Sequence, residues 1–494
     1  MVMSCYPSPS PGVPGPWPAL APGHDTRQGR EAPPLALLLL VFLSGLFLAG
    51  CLFVALSLRL FDGDAVGRPG AGGSWWAVAG SAVLTVVFLL TGGRWCCFLI
   101  LAFLVYRRDR RCPPPTPRHW PLVSVFVPAH NESETIEAAL RSLTKLDYPA
   151  YEVIVVDDGS TDDTFERARA FAGERRPRYE GGNRDRGCTV RVFRKPNGGK
   201  WSAHNFAFGR SVGELVLCLD ADSQVEPQAL RLLVARMADP QVGAVAGQIR
   251  VRNRVNLLTR LQALEYLIAN GALRMAQAHS GTVLVVPGPI GLFRRSVLEE
   301  VYLRYGTNPP PGPGHVPGPF EGDTFAEDFD LSVAILSLGH RIVYEPEAVS
   351  HTKAPDWAIG LLNQRYRWCR GTVQVLRKYV RRALSHPESR HPRLLAWVAI
   401  YLYELLMIPV AYTTTIGLLT LFLLHGGNML PLLGWMGAFL LLNLHASALF
   451  TLMHRDDLTL LHVLPFFDLY HGFLLNGGWV ISMIDEVRGA RMRW

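Results

Sequence analysis

The sequence predicts an α/β domain with a mainly parallel sheet, set between transmembrane α-helices. Three features of the 494-residue chain predict it. Long apolar runs are confined to the two ends. Between them, short β-branched runs alternate with segments of helical period. Each short run closes on a cluster of polar residues, as strands do when they deliver side chains to one edge of an open sheet.

Residues 1–34 are rich in Pro, Gly and Ser, and a disordered tail is expected there. Apolar runs follow at 35–60 and from Trp75 to Tyr106, the second interrupted by Arg94. Three more lie at 394–424, 430–453 and 458–484. A hydrocarbon core takes roughly 20 apolar helical residues, so each run is long enough to span. The first starts late and lacks a small-residue cleavage site, which argues for a retained helix rather than a signal peptide. Arg107, Arg108, Arg110 and Arg111 follow the second run, and the positive-inside rule places them in the cytosol. The expected organisation is a tail (1–34), two transmembrane helices (35–111), a cytosolic domain ending in an interfacial helix (112–390), and a C-terminal membrane region of two or three helices (391–494). The uncertain piece is 458–484, where Pro465, Asp468 and His471 suit an interfacial or re-entrant segment as well as a crossing.

The net charge of +8 fits cytosolic anchoring at a bilayer and not a nucleic-acid partner. The basic stretch from Arg175 to Arg186 reads as a solvated loop. The scattered cysteines form no CxxC pair and have no interleaved His, so no zinc site is expected.

LVSVFV (122–127), EVIVV (152–156), TVRVF (189–193) and ELVLCL (214–219) read as strands. Ile136, Leu140, Leu143 and Leu146 mark a helix between the first two, with Asn131 or Ser133 as its cap. Strand, helix, strand at this spacing implies right-handed crossovers. The strand ends carry Pro128 to Glu132, Asp157 to Ser160, and Asp220 to Asp222.

These ends hold the candidate chemistry. Asp157 and Asp158 could accept hydrogen bonds from a base or ribose, or could serve the N-terminus of a following helix. In Lys195 to Lys200, a Gly-containing turn lies between two cations; its amides can approach phosphate and Lys200 can add charge. Asp220 and Asp222 are two apart, so extended backbone turns both the same way, and the pair suits one hard divalent cation. Glu327 and Asp328 open an expected amphipathic helix, FDLSVAILSLG, where they serve either the helix dipole or, through Asp328, as a general base. Gln364, Arg367 and Trp368 share one helical face. That face either anchors an interfacial helix or presents an Arg fork and an aromatic plane to a ligand.

PAHNE, VVDDGSTDDT, KPNGGKWSAHN, LDADS, GPIGLFRRSVL, AEDFDLS and QRYRWCRG occur in this order. The ordered set resembles processive family-2 glycosyltransferases with the Rossmann-like GT-A fold: bacterial poly-N-acetylglucosamine synthases foremost, then cellulose and hyaluronan synthases. The likeness covers about residues 120–380 and the flanking helices. It implies an inverting β-glycosyltransferase in the plasma (inner) membrane, taking sugar from UDP-GlcNAc or UDP-glucose with Mg²⁺ or Mn²⁺. The growing polysaccharide would leave through the membrane helices, with an accessory membrane subunit as a further partner. By the same resemblance Glu132, Asp157, Asp158, Lys200 and Asp220 bind the nucleotide sugar, and Asp220 and Asp222 the metal. Asp328 is the base, and Gln364, Arg367 and Trp368 serve the acceptor and diphosphate. Ceramide glucosyltransferases are similar too, so single transfer to a membrane lipid is the alternative. Two departures stand out: Ala326 where many relatives have Thr, and a long Pro/Gly segment at 308–320.

Overall fold

The structure, a computed structural model, describes residues 37–39, 41–45, 75–117, 119–174, 188–306, 312–425 and 430–490. The expected tail, most of the 35–60 run and the basic stretch Arg175 to Arg186 lie outside the described residues.

A long helix, α1 (Trp75–Arg111), leads into the domain. There follow β1 (Val123–Ala129), α2 (Ile136–Leu143), β2 (Tyr151–Asp157), α3 (Thr164–Glu174), β3 (Thr189–Arg194), α4 (Lys200–Phe208) and β4 (Leu215–Cys218). Next come β5 (Gln224–Val225), α5 (Ala229–Arg236), β6 (Val242–Val251), α6 (Leu257–Glu265), α7 (Leu273–Ser280), β7 (Gly291–Arg294) and α8 (Arg295–Tyr305). A π-helical stretch, Tyr266–Ala272, joins α6 to α7. The chain closes with α9 (Glu327–Ser337), β8 (Arg341–Thr352), α10 (Ala358–Ser385), α11 (Pro392–His425), α12 (Leu430–Met453) and α13 (Asn476–Val487).

The eight strands form one sheet in the order β3-β2-β1-β4-β7-β6-β8-β5. The four strands expected from sequence are β1 to β4, and they pair in parallel. Because β1 lies between β2 and β4, the winding reverses there, and such a switch point opens a crevice at the carboxyl ends. The register sets Phe126 beside Cys218 and Ala129 beside Asp157, so the polar ends of β1, β2 and β4 are nearly flush. The other half of the sheet is mixed: β7 runs antiparallel to β4 and β6, while β6 and β8 are parallel. The GPIGLFRR motif is therefore a turn followed by strand β7, and α8 begins at Arg295.

Apolar clusters cover both faces of the sheet. Helix α2 buries Ile136, Ala139, Leu140 and Leu143 against it, on the expected face. Its start differs from expectation. Neither Asn131 nor Ser133 caps it: the N-cap is Thr135, without a side-chain hydrogen bond. Asn131 adopts φ 56°, a conformation Asn tolerates better than most residues. Its N–H donates to Ser160 Oγ at 2.9 Å and its Oδ1 accepts the Thr161 N–H at 2.9 Å. The residue thus ties the loop after β1 to the loop after β2. Helix α9 also departs from expectation. Every residue from Phe329 to Ser337 is buried, because α8, α10 and β8 pack around it. A surface helix would have shown a polar stripe.

Among the described residues, two segments are long and apolar enough to cross a membrane, Leu89–Arg111 and Pro392–Leu421. Leu440–Met453 is a shorter apolar helix. The 458–484 region consists of Leu458–Phe466 and Tyr470–Val487 bent by 56°, the shape of a broken or re-entrant span. Ion pairs fasten these helices to the domain. Arg236 on α5 bonds Asp109 at the end of α1 and Glu345 on β8, each at 2.7 Å. Arg254 bonds Asp456, just beyond α12, at 3.0 Å. Breaking a buried pair by removing one partner costs about 3–5 kcal/mol. Arg236→Met strands both carboxylates, so it is expected to lower the thermal midpoint of the detergent-solubilised protein by several degrees. An unchanged melting curve would show that this fastening carries no stability.

Candidate active site

A cavity of about 240 Å³ opens at the switch point, lined by Glu132, Asp158, Lys200, Asp220 and Asp222 among others. Glu132 follows β1, Asp158 follows β2, Asp220 and Asp222 both follow β4, and Lys200 opens α4, so the parallel half of the sheet builds the site.

Asp158 is held in place by the turn after β3. Its carboxylate accepts the Lys195 ammonium, the Gly198 N–H at 3.1 Å and the Gly199 N–H at 2.8 Å. The turn amides expected to approach phosphate are therefore taken up by a buried carboxylate, whose oxygens would otherwise be left without hydrogen-bond partners. Of the Lys195 to Lys200 group, Lys200 is the cation that reaches the cavity. Asp157 points elsewhere. It is 1% exposed, pairs with Arg194 Nε at 3.1 Å across the β2–β3 register, and does not line the cavity.

Lys200 Nζ lies 2.6 Å from Asp220 Oδ1 and 3.4 Å from Glu327 Oε1. Burial opposes its charge, but Asp220 and Glu327 outweigh that and raise its pKa. The acids on the other side of the cavity are less well compensated. Burial raises the pKa of Asp222, and Asp220 adds to the rise. Ser223 Oγ at 3.0 Å and Thr352 Oγ1 at 3.4 Å are its partners. Burial likewise raises Glu132; a 2.5 Å bond from Thr135 Oγ1 acts against this, and Asp222 and Asp220 add to it. Three carboxylates thus crowd one wall, with Lys200 bonded to Asp220 and Lys353 acting from a distance on Glu132.

Glu327 and Asp328 open α9 at the edge of this cavity. Asp328 is half-buried, and its Oδ1 accepts the Phe329 N–H at 2.8 Å. Removal from water and the adjacent Glu327 push its carboxyl up to about 6, with Lys200 acting the other way.

Gln364, Arg367 and Trp368 lie on α10 as expected, but they are not among the residues lining the cavity. Arg367 and Trp368 are exposed. The Trp368 ring lies 4.2 Å from the Arg365 guanidinium, and Arg365 bonds Glu265 at 2.7 Å. One turn further on, Gly371 abuts Ala326, and Gln374 Oε1 accepts the Phe325 N–H at 3.1 Å. Helix α10 therefore touches the chain immediately before the acidic pair.

Sequence reasoning passed over Arg365 and Arg370, both buried and paired with Glu265 and Glu486. The available signal was spacing: Arg365 falls between Leu361 and Cys369 on the buried face. It also passed over Gly288. A Cβ there would stand 2.6 Å from Lys200 Nζ and 3.3 Å from Asp220 Oδ1, so a side chain at 288 would push the end of Lys200 from its place beside Asp220.

Residues 124–302 match the Glycosyl transferase family 2 model, and residues 215–453 match the Glycosyl transferase family group 2 model. The chain carries a family-2 glycosyltransferase domain of GT-A fold. More particularly, it resembles poly-β-1,6-N-acetyl-D-glucosamine synthases. It is 29% identical to the Staphylococcus epidermidis synthase of that name over 255 residues, 51% of this chain and 55% of that protein. It is 36% identical to an N-acetylglucosaminyltransferase of Rhizobium meliloti (strain 1021) over 267 residues, 53% of this chain and 58% of that protein. The chain thus spans little more than half the length of these curated relatives. Among solved structures, the mannosyltransferase PcManGT from Pyrobaculum calidifontis, in complex with GDP-Man and Mn²⁺, superposes with a TM-score of 0.54. The match is 23% identical and covers 83% of this chain and 100% of that one, a likeness of fold.

Gly288→Ala is expected to displace Lys200 from Asp220 and lower the thermal midpoint of the solubilised protein by a few degrees, the equivalent of about 1 kcal/mol. Thermal unfolding checks this, and a wild-type midpoint in the variant would show that the close approach has no bearing on the ion pair.

Proposed function

We propose that this chain transfers a sugar from UDP-GlcNAc or UDP-glucose to a growing polysaccharide, at the cytosolic face of the plasma (inner) membrane and with inversion. The observation that carries the reading is the position of Asp328 beside the Lys200–Asp220 pair, with its carboxyl raised to about 6. The printed activities of the relatives support the polysaccharide class. The bound GDP-Man and Mn²⁺ of the mannosyltransferase support a nucleotide-sugar donor and a divalent metal.

Asp220 and Asp222 fit a hard cation such as Mg²⁺ or Mn²⁺. They are oxygen donors on one cavity wall, with Glu132 beside them, and their mutual repulsion is only partly offset by Lys200. When bound, such an ion would offset charge on the leaving nucleotide diphosphate. The chain's own residues do the rest. Asp158 is the member of the acidic pair at the cavity, so the uridine contact is assigned to it, with Asp157 behind it bracing β2 to β3. Asp328 accepts the proton of the acceptor hydroxyl as that oxygen attacks the anomeric carbon and the bond to the diphosphate breaks. Gln364, Arg367 and Trp368 are assigned to the acceptor and diphosphate end, which α10 approaches through its contact with Ala326. An accessory membrane subunit belongs to the same reading.

Donor-dependent UDP release from membranes, with each UDP-sugar offered separately and products sized, tests the whole. A ladder of products is expected; a single added hexose on a lipid would replace the polymer reading, and no release with any donor would end it. Asp328→Asn is expected to lower turnover about 10²–10⁴-fold while leaving UDP affinity near wild type. Near-normal transfer by that variant would remove the base assignment. The pH dependence follows in sign. A base must be deprotonated, so turnover is expected to fall as pH drops through about 6. A rate flat from pH 7.5 to about 5 would contradict the role.

A further inference from the structure

The Pro/Gly segment that precedes the acidic pair has no part in the proposed chemistry, yet it is bound closely to the donor side of the site. From Gly312 to Ala326 it lies along the start of α4 as a strap. Ser202 Oγ donates to Gly314 O at 2.6 Å and accepts the Val316 N–H at 2.9 Å. Asn205 is 2% exposed, and its amide grips the strap three times. Its Nδ2 donates to Val316 O and Phe320 O, both at 2.9 Å, and its Oδ1 accepts the Phe320 N–H at 3.0 Å. Rings add to the contact: His204 stacks on Phe320 with centroids 4.8 Å apart, and Trp201 meets His315 at 5.1 Å. Backbones touch as well. A Cβ on Gly198 would strike the Gly314 carbonyl, and one on Gly314, at φ +76°, would strike Pro196 O.

The two ends of this arrangement matter. Strand end and turn carry Lys195, Gly198 and Gly199, which hold Asp158, and the first residue of α4 is Lys200. The strap itself runs straight into Glu327, and Lys200 Nζ meets Glu327 Oε1 at 3.4 Å. Lys200 and Glu327 therefore face each other because Ser202 and Asn205 fix the strap to the helix that bears Lys200. Were these bonds only structural, an apolar contact would seal the same surface; a buried amide that satisfies three backbone groups instead sets one registration.

We infer that Asn205 and Ser202 are positioning residues, and that the strap couples occupation of the nucleotide cavity to the placement of Glu327 and Asp328. This rests on the donor reading above, and the experiment separates the two. Hydrogen exchange is measured on the solubilised full chain, with and without UDP and Mn²⁺. Protection is expected at residues 128–132 and 195–200, and also at 312–326, which lie outside the cavity. In Asn205→Ala the strap amide of Phe320, and in Ser202→Ala that of Val316, are expected to exchange at least about tenfold faster, an effect of lost bonds. Protection of the cavity with no change in the strap would overturn this inference and leave the donor reading standing. Protection nowhere would overturn both.

A mutant cycle asks whether the clamp acts through Lys200. Asn205→Ala is expected to lower kcat more than it alters the KM for donor, and to have little further effect in a Lys200→Met background, as coupled residues do. Fully additive losses would overturn the positioning role. Gly314→Ala approaches from the other side, wedging the strap from Pro196 and pulling it from Ser202. It is expected to reproduce the kcat loss while UDP still protects residues 128–132, and wild-type turnover in that variant would count against the strap.

Discussion

The site depends on the ion pairs of Lys200. Glu132, Asp220 and Asp222 share a wall, Glu327 and Asp328 stand at its edge, and Lys200 is the ammonium that meets both Asp220 and Glu327. Like charges at such separations cost several kcal/mol in a protein interior unless something offsets them. Lys200 offsets two of the acids directly and leaves the others with raised pKa values. The arrangement is stable enough to fold and still short of positive charge, which is the condition for taking up a cation with an anionic ligand. The GPIG turn before β7 serves the same end: Gly288 brings backbone close against the lysine, where a side chain would have to displace the tip of Lys200.

A second layer of pairing joins the α/β domain to the long apolar helices. Arg236 ties it to the end of α1, Arg254 to the segment just beyond α12, Arg365 joins α10 to α6, and Arg370 joins α10 to α13. Partners of this kind are costly to bury and costlier to separate. They give the domain a fixed seat on these helices instead of a flexible tether.

Much of this was legible in the chain. Strands β1 to β4 are short β-branched runs that end in polar residues, so both their existence and the edge they serve could be read directly. Glu132, Asp158, Lys200, Asp220 and Asp222 follow from that reading, because sheet topology gathers strand ends without any need of detailed packing. The mixed half of the sheet was not legible. Strand β6 reads VGAVAGQIRV and is buried almost throughout, so it shows neither alternation nor helical period. Helix α9 misled for the same reason, since burial on every side removes the stripe that marks orientation. Asp157 and Asp158 were inseparable as neighbours in sequence; only the pairing of Asp157 with Arg194 on β3 distinguishes them. The Gly198 and Gly199 amides looked available for a ligand until the demand of a buried carboxylate was visible.

Helix α10 meets the residue before Glu327 through glycine and alanine alone: a Cβ on Gly371 would stand 2.7 Å from the Cβ of Ala326. The loss of a Thr hydroxyl at 326, noted as a departure from many relatives, is thus tied to a choice made forty-five residues later. A side chain at 371 would meet the backbone of Phe325 and Ala326 as well as the Ala326 methyl, so paring 326 down would make no room for it. Any bulk at 371 therefore parts the two helices, and the start of α9 sits where it does because one residue of α10 has nothing to offer but backbone.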